Sequence, residues 1–336
     1  MILVTGSTGL VGSHLLYKLV SNNESVKAIY RNKNKLNNVK NVFSTYTKNV
    51  EPLFNAIEWI EADILDIPSL AEAFKGVTHV YHCAAFVSFE PNKYNLLRKT
   101  NIEGTSNIVN LCLSHSVKKL CYVSSVATLG DPPKNMPTTE NSSWNPETDN
   151  NVYAITKYGA EMEVWRASQE GLPVVIVKPG VILGAGIWQK GTGSLFTKAY
   201  KGLKYYSIGS IGLVDVEDVA SAMIQLLKSN IENDAFILVA ENLPYKQFLQ
   251  SLATSVGAKP PSKIAKPWLL NLAWKLDWLK HKLTGKRRLL TKHLAKSITT
   301  TSNYSNKKIK MTLNFEFKPI SKTITEVGSH FQKQVQ

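Results

Sequence analysis

Three glycines spaced three residues apart, Gly6, Gly9 and Gly12, separate a short apolar run from an amphipathic one at the start of the chain. Few features constrain a fold as much. Ile2, Leu3 and Val4 read as a buried parallel strand. Leu15, Leu16 and Leu19 recur at helical spacing. The loop between them is Thr5-Gly6-Ser7-Thr8-Gly9-Leu10-Val11-Gly12. In a strand–loop–helix unit of this kind, Gly6 permits the tight turn. Gly9 lets the backbone approach a pyrophosphate, and Gly12 lets helix and strand pack closely. The free N–H groups of the helix start then face the phosphates. Thr5, Thr8, Leu10 and Val11 complete the expected cradle. A glycine trio alone is weak, but here it has the flanking elements it needs.

The next segments fit a dinucleotide. Val26 to Arg31 reads as a second strand, ending where a ribose contact is expected. An NAD-selective site normally places an acid there. This chain offers Tyr30, Arg31 and Asn32, with Lys33 and Lys35 following. Arg31 can pair with a 2′-phosphate through its planar fork, so NADP is the expected cofactor, with NAD the alternative. The same cations also read as solvated loop charges. Ile57 to Ala62 is a third strand. Asp63-Ile64 at its end suits an adenine amine and ring face. Val77 to His82 is a fourth, and Ala84-Ala85 after it leaves room for a flat ring. His82 reads as a packed structural residue.

The middle of the chain carries the chemistry. Lys119 to Val123 is a fifth strand with Ser124-Ser125 at its C-terminal end, where active groups of open α/β sheets gather. Tyr153 and Lys157 are four residues apart in a helical run and share a face. Hydride transfer to a carbonyl needs a proton donor for the alkoxide. A free tyrosine, with a pKa of about 10, is a poor acid–base at neutral pH. A neighbouring ammonium is expected to lower it. Lys157 fills that place and can also reach the nicotinamide ribose, while a serine hydroxyl holds the substrate oxygen.

These segments resemble the extended short-chain dehydrogenase/reductase family. The resemblance rests on Thr5–Gly12, Asp63-Ile64, Asn101–Thr105, Tyr122–Ser125, Tyr153–Lys157, Lys178-Pro179-Gly180 and Val214–Ala220, in the family's order. It covers about the first two-thirds of the chain. It implies a doubly wound Rossmann α/β fold, with Tyr153 as general acid/base, Lys157 as its partner and Ser125 polarising the substrate. Ser124 competes with Ser125, because the register carries a one-residue ambiguity. Pro179 and Val181 join the implied cofactor contacts, and Asn101 matches a position near the active site. His82-Cys83-Ala84-Ala85-Phe86 departs from the family's usual Asn-Ala-Ala-Gly-like stretch. Lys178–Gly186 resembles the dihydroflavonol reductase, cinnamoyl-CoA reductase and 3β-hydroxysteroid dehydrogenase branch more than the nucleotide-sugar epimerases. The expected activity is therefore carbonyl/secondary-alcohol interconversion on a medium-sized, largely apolar molecule. An NAD-retaining epimerase or dehydratase is the alternative. A non-enzymatic cofactor sensor fits poorly, since such sensors commonly lack the tyrosine–lysine pair.

A chain of 336 residues fits one large α/β domain with a smaller lobe. The expected division is 1–180 plus 212–230 for the nucleotide domain, and 181–211 plus 231–336 for the substrate lobe. The net charge of +15 lies mostly in the C-terminal half. From Lys259 to Lys296 the only acid is Asp277. Residues 267–292 combine Trp268, Trp274, Trp278 and several leucines with Lys286-Arg287-Arg288. They read either as a buried helix with a solvated basic end or as a surface that meets membrane lipid or an apolar substrate tunnel. No nucleic-acid module is visible. The partners expected are a small-molecule substrate and, through 267–292, a membrane surface, with a homodimer left open. Gly191-Thr192-Gly193-Ser194 reads as a lid or as an ordinary loop. Cys83, Cys112 and Cys121 form no metal-binding pattern and sit in apolar runs, so buried thiols in a reducing, cytoplasmic setting are expected and no metal is assigned. Neither a secretory signal nor a membrane-spanning run is expected.

Overall fold

The computed structural model describes residues 1–285, 288 and 290–335. Among these, the strands in chain order are β1 (Ile2–Thr5), β2 (Val26–Tyr30), β3 (Glu58–Glu61), β4 (His79–His82), β5 (Lys119–Val123), β6 (Val174–Pro179), β7 (Val181–Leu183), β8 (Tyr205–Tyr206), β9 (Ser210–Asp215), β10 (Asp234–Leu238), β11 (Glu241–Pro244) and β12 (Lys263–Ile264). Seven of them form one sheet in the order β10-β6-β5-β4-β1-β2-β3, with every pairing parallel. Parallel strands buried on both faces should be apolar throughout, and β1 and β6 are buried along their whole length. Helices Leu10–Ser21 and Val216–Lys228 cover one face through Leu15, Leu16, Leu19, Val219, Met223 and Leu226. Helices Gly104–Ser114 and Val152–Gln169 cover the other through Ile108, Val109, Cys112, Ala160 and Val164. This is the expected Rossmann architecture. Its strand order reverses at β1, so a crevice opens at the C-terminal ends of β1 and β4.

A smaller lobe is built on the mixed sheet β11-β9-β7 and the pair β12-β8. Its core includes Phe196, Phe248, Leu252, Ile324 and Phe331. The chain crosses between the two parts more often than the expected division allows. Residues 234–238, placed in the lobe by that division, pair with β6 as the edge of the large sheet. Ile309 and Phe315 join the nucleotide-side core as well. In the other direction, Gly212–Asp215 lies in the lobe's sheet. The reason is pairing: Ala235-Phe236-Ile237-Leu238 is a continuous apolar run, which suits a strand with helices packed against its sheet.

Around Lys318 an ion cluster ties the C-terminal helix Ile320–Val335 to the rest. The carboxylates of Asp215, Glu217 and Glu326 converge there. The Lys318 ammonium lies 3.1, 3.1 and 3.0 Å from them. That ammonium serves as the counter-ion of the group.

Two further expectations meet the structure here. Gly193 begins a helix, Gly193–Tyr200, with Thr192 at its N-cap and Gly191 in the left-handed region at φ +57°. Gly191–Ser194 is therefore a helix entry. The Trp/Leu-rich segment forms helix Pro267–Thr284, and none of its residues is buried. The buried-helix reading is overturned, because one side of the helix is half-buried and the rest exposed. Lys286 and Arg287 of the expected basic cluster lie outside the described residues. No described helix is long and apolar enough to cross a membrane. Cys112 and Cys121 are buried, Cys83 is half-buried, and all three are free thiols.

Candidate active site

The glycine loop leaves β1 at the sheet's C-terminal edge. Gly6 adopts φ +67°, and a Cβ there would lie 2.5 Å from the Ala84 nitrogen. A Cβ on Gly12 would lie 2.3 Å from the Gly6 oxygen. Both positions therefore require glycine. Gly9 differs, being exposed, with only the Gly6 oxygen near a Cβ, at 3.2 Å. The following helix carries no side-chain cap on its first turn. Thr8, Leu10 and Val11 are half-buried beside it. An open glycine backbone at an uncapped helix start fits a pyrophosphate. The loop's own shape is held from below. Ser7 Oγ donates to the Ile29 carbonyl at 2.5 Å, and Ser13 Oγ donates to the Ser7 carbonyl at 3.0 Å.

His82 has the structural role expected of it. Its Nδ1 bonds Thr5 Oγ1 at 2.6 Å and its Nε2 bonds Thr105 Oγ1 at 2.9 Å. Thr5 Oγ1 in turn accepts from the Ala84 N–H at 3.2 Å. Burial pushes the imidazole pKa down to about 3, so it stays neutral and joins β1, β4 and the helix beyond.

At the adenosine end, Arg31 and Asp63 meet each other. The guanidinium lies 3.3 Å from the carboxylate, with both side chains partly exposed. Asp63 also accepts the Leu65 N–H at 3.0 Å. Ile64 is buried against the flat back of Gly104, and its carbonyl accepts from Asn107 Nδ2 at 2.9 Å. Ala84 is half-buried and Ala85 exposed. Pro179 closes β6 and Val181 opens β7, at the same edge of the sheet.

The structure brings Ser125 and Tyr153 together and sends Ser124 elsewhere. The Ser125 side chain lies beside the Tyr153 hydroxyl and favours its ionised form. Ser125 Oγ accepts the Ala127 N–H at 3.2 Å. Ser124 Oγ instead donates to buried Glu161 at 2.5 Å. Asn151 caps the helix that carries Tyr153, accepting from the Ala154 N–H at 2.9 Å. Lys157 lies one turn further on and is buried. Its ammonium donates to Tyr122 Oη at 2.6 Å and to the Val123 carbonyl at 2.7 Å.

The electrostatics differ from the expectation. Burial pushes the Tyr153 phenol up to about 12, and the neighbouring Ser125 hydroxyl only partly offsets this. Burial also brings Lys157 down to about 7, against the opposing pull of Glu161. The anticipated lowering of the tyrosine by the lysine is absent from the protein alone. Desolvation dominates at both groups, and the ammonium is engaged by Tyr122 and Val123. The phenol is therefore protonated at neutral pH.

Sequence reasoning missed what lies behind this pair. Glu161, one turn beyond Lys157, pairs with Lys178 at 2.5 Å and accepts from Ser124, Thr128 and Trp165. Lys178 also donates to Thr128 at 3.0 Å. The signal was an acid four residues after the lysine on the same helix face. Asn101 sits in a π-helical stretch, Arg98–Glu103. It bonds both backbone groups of Phe86 and donates to Thr156 at 3.2 Å. It thus fixes the loop after β4 against the helix that carries Tyr153. Phe89 of that loop meets the Tyr153 ring edge-on, with centroids 5.5 Å apart.

With this geometry established, the comparisons decide the family. A model of the NAD dependent epimerase/dehydratase family matches residues 2–238. The chain belongs to that family, the extended short-chain dehydrogenases/reductases. It is 28% identical to "Putative dihydroflavonol 4-reductase" of Synechocystis sp. over 278 residues, 81% of this chain and 77% of the relative. It is 26% identical to sterol demethylase protein B of Methylococcus capsulatus, over 80% and 78% of the two chains. The crystal structure of gox2253 superposes with a TM-score of 0.81 at 24% identity, covering 99% of this chain and 98% of that one. This last likeness is one of fold. Extended short-chain dehydrogenases/reductases are NAD(P)-dependent oxidoreductases, and this chain is one of them.

Proposed function

We propose that the protein is an NADP-dependent reductase that converts a carbonyl of a medium-sized, largely apolar molecule to a secondary alcohol. The observation that carries this reading is the placement of Ser125 beside the Tyr153 phenol at the C-terminal edge of β5, one helical turn from buried Lys157. When bound, the dihydronicotinamide supplies the hydride. Ser125, its oxygen held by the Ala127 N–H, keeps its own proton to polarise the carbonyl oxygen. Tyr153 donates its proton to the developing alkoxide. A phenol raised to about 12 by burial carries the proton that a reduction has to deliver. Lys157 orients the ribose and stabilises the phenolate left behind. Phe89, edge-on to Tyr153, and Val87, both exposed, give the rim an apolar character that suits the substrate class.

Support for NADP is the lack of an acid at the end of β2 and the exposed Arg31. A 2′-phosphate would take Arg31 from Asp63. The test is oxidation of NADPH by the purified protein against aldehydes, ketones, acyl-CoAs and sterols bearing a keto group. Turnover with an apolar ketone is the expected result. Silence across the panel, together with NAD co-purifying in the native protein by mass spectrometry, would replace this reading with the epimerase one.

A further inference from the structure

Helix Pro267–Thr284 presents two apolar faces. One includes Leu269, Leu270, Ala273 and Trp274, all half-buried. Asp277 lies on that side and accepts the Leu290 N–H at 3.0 Å. The other face is formed by Trp268, Leu272, Leu276, Leu279 and Leu283. Their spacings of four, four, three and four place them on one continuous stripe. All five are exposed, from 45% at Leu279 to 76% at Leu283. Projected down the helix, Lys275 and Lys282 border the stripe on one side and Lys280 on the other. Lys282 lies over the ring of Trp278, 5.5 Å from its centroid. Lys266 stands just before the helix.

The charges select the occupant. An apolar stripe bordered by lysines on both sides is matched by a surface that is apolar within and anionic at its rim. A second copy would bring lysines against lysines, which disfavours a two-fold pairing through this face. We propose that the helix lies in the plane of an anionic lipid surface, with Trp268 and the leucines among the acyl chains and the lysines at the phosphates. The docking does not depend on the redox assignment, but it bears on how an apolar substrate would be met. Beyond the helix, His293 and Lys296 reach Asp149 at 3.8 and 3.7 Å, just before the cap of helix Val152–Gln169. Helix Lys292–Ser297, which carries these two residues and packs on the docked helix, is thereby tied to the segment leading into the helix of Tyr153.

The experiment is sedimentation of the full chain with vesicles, at low and at physiological salt. One set contains equal parts phosphatidylglycerol and phosphatidylcholine, and the other phosphatidylcholine alone. The protein should pellet with the first set at both salts and stay in solution with the second. Brominated acyl chains should quench its tryptophan fluorescence, less so in Trp268→Phe. Leu276→Glu, on an exposed position, should keep the circular dichroism of the parent and bind at least about tenfold more weakly. Absence of pelleting at low salt would overturn the proposal. So would unchanged binding of Leu276→Glu, which would reduce the effect to charge adsorption. A dimer in solution that Leu276→Glu converts to a monomer, without vesicle binding, would assign the face to a second copy.

Discussion

The helix Val152–Gln169, which carries Tyr153 and Lys157, and the helix Pro267–Thr284 are each 18 residues long, yet they share almost nothing else. The first is clamped from every side. Its Lys157 is fixed by Tyr122 and Val123, its Glu161 by Ser124, Thr128, Trp165 and Lys178, and its Thr156 by Asn101. The second buries no residue and keeps a full apolar stripe outward. Chemistry demands sub-ångström placement, so the polar groups of the first are over-determined. The second has no such demand within the chain, and its apolar surface remains available to something outside it.

The largest effect should fall on the clamped helix. Tyr153→Phe keeps the ring against Phe89 but removes the proton donor, so turnover should fall by about 10²–10⁴ with cofactor affinity nearly unchanged. Steady-state kinetics with the best ketone from the panel, and NADPH titration, measure the two. Glu161→Leu should cost about 3–5 kcal/mol by urea unfolding, because it leaves the Lys178 ammonium buried without its counter-charge. The double variant Glu161→Leu/Lys178→Met should recover much of that loss. If the single variant is as stable as the parent, the clamp is not the source of rigidity claimed for it.

The contrast also runs through matched leucines. Leu16→Ala, at a fully buried position, should cost about 2–5 kcal/mol in the same assay. Arg31→Asp should lower the NADPH/NADH efficiency ratio at least about tenfold, or about 1.4 kcal/mol, by supplying a ribose acceptor and repelling a 2′-phosphate. Leu276→Ala should change stability in solution by about 0.5 kcal/mol or less, because the residue is 57% exposed. A large loss there would show that the stripe is packed against protein after all.

The two helices also explain what could be read in advance. The glycine loop, the five strands up to Ser124-Ser125 and the Tyr153–Lys157 spacing were legible because each rests on local geometry: a turn, a period or one helical step. The choice between Ser124 and Ser125 was not legible. It depends on Glu161, 37 residues away from Ser124 and reached only when the helix packs. The Tyr153 pKa was misjudged for a related reason, since spacing reveals a neighbour but not the desolvation of both groups. The edge strand at Asp234–Leu238 was missed because pairing with β6 is non-local. The outer helix was ambiguous for a different cause. Apolar residues on more than one face describe a buried helix and an interfacial one equally well, and only packing separates them.

The central claim is that the clamped site moves a hydride from cofactor to a carbonyl that leaves as alcohol. Incubating the protein with an accepted ketone and NADPH deuterated at the transferred C4 position, followed by mass spectrometry and NMR of the product, tests it directly. The account predicts one deuterium at the carbinol carbon of the released alcohol and stoichiometric release of NADP. Unlabelled product, with cofactor returned to its starting state after each turnover, would contradict it.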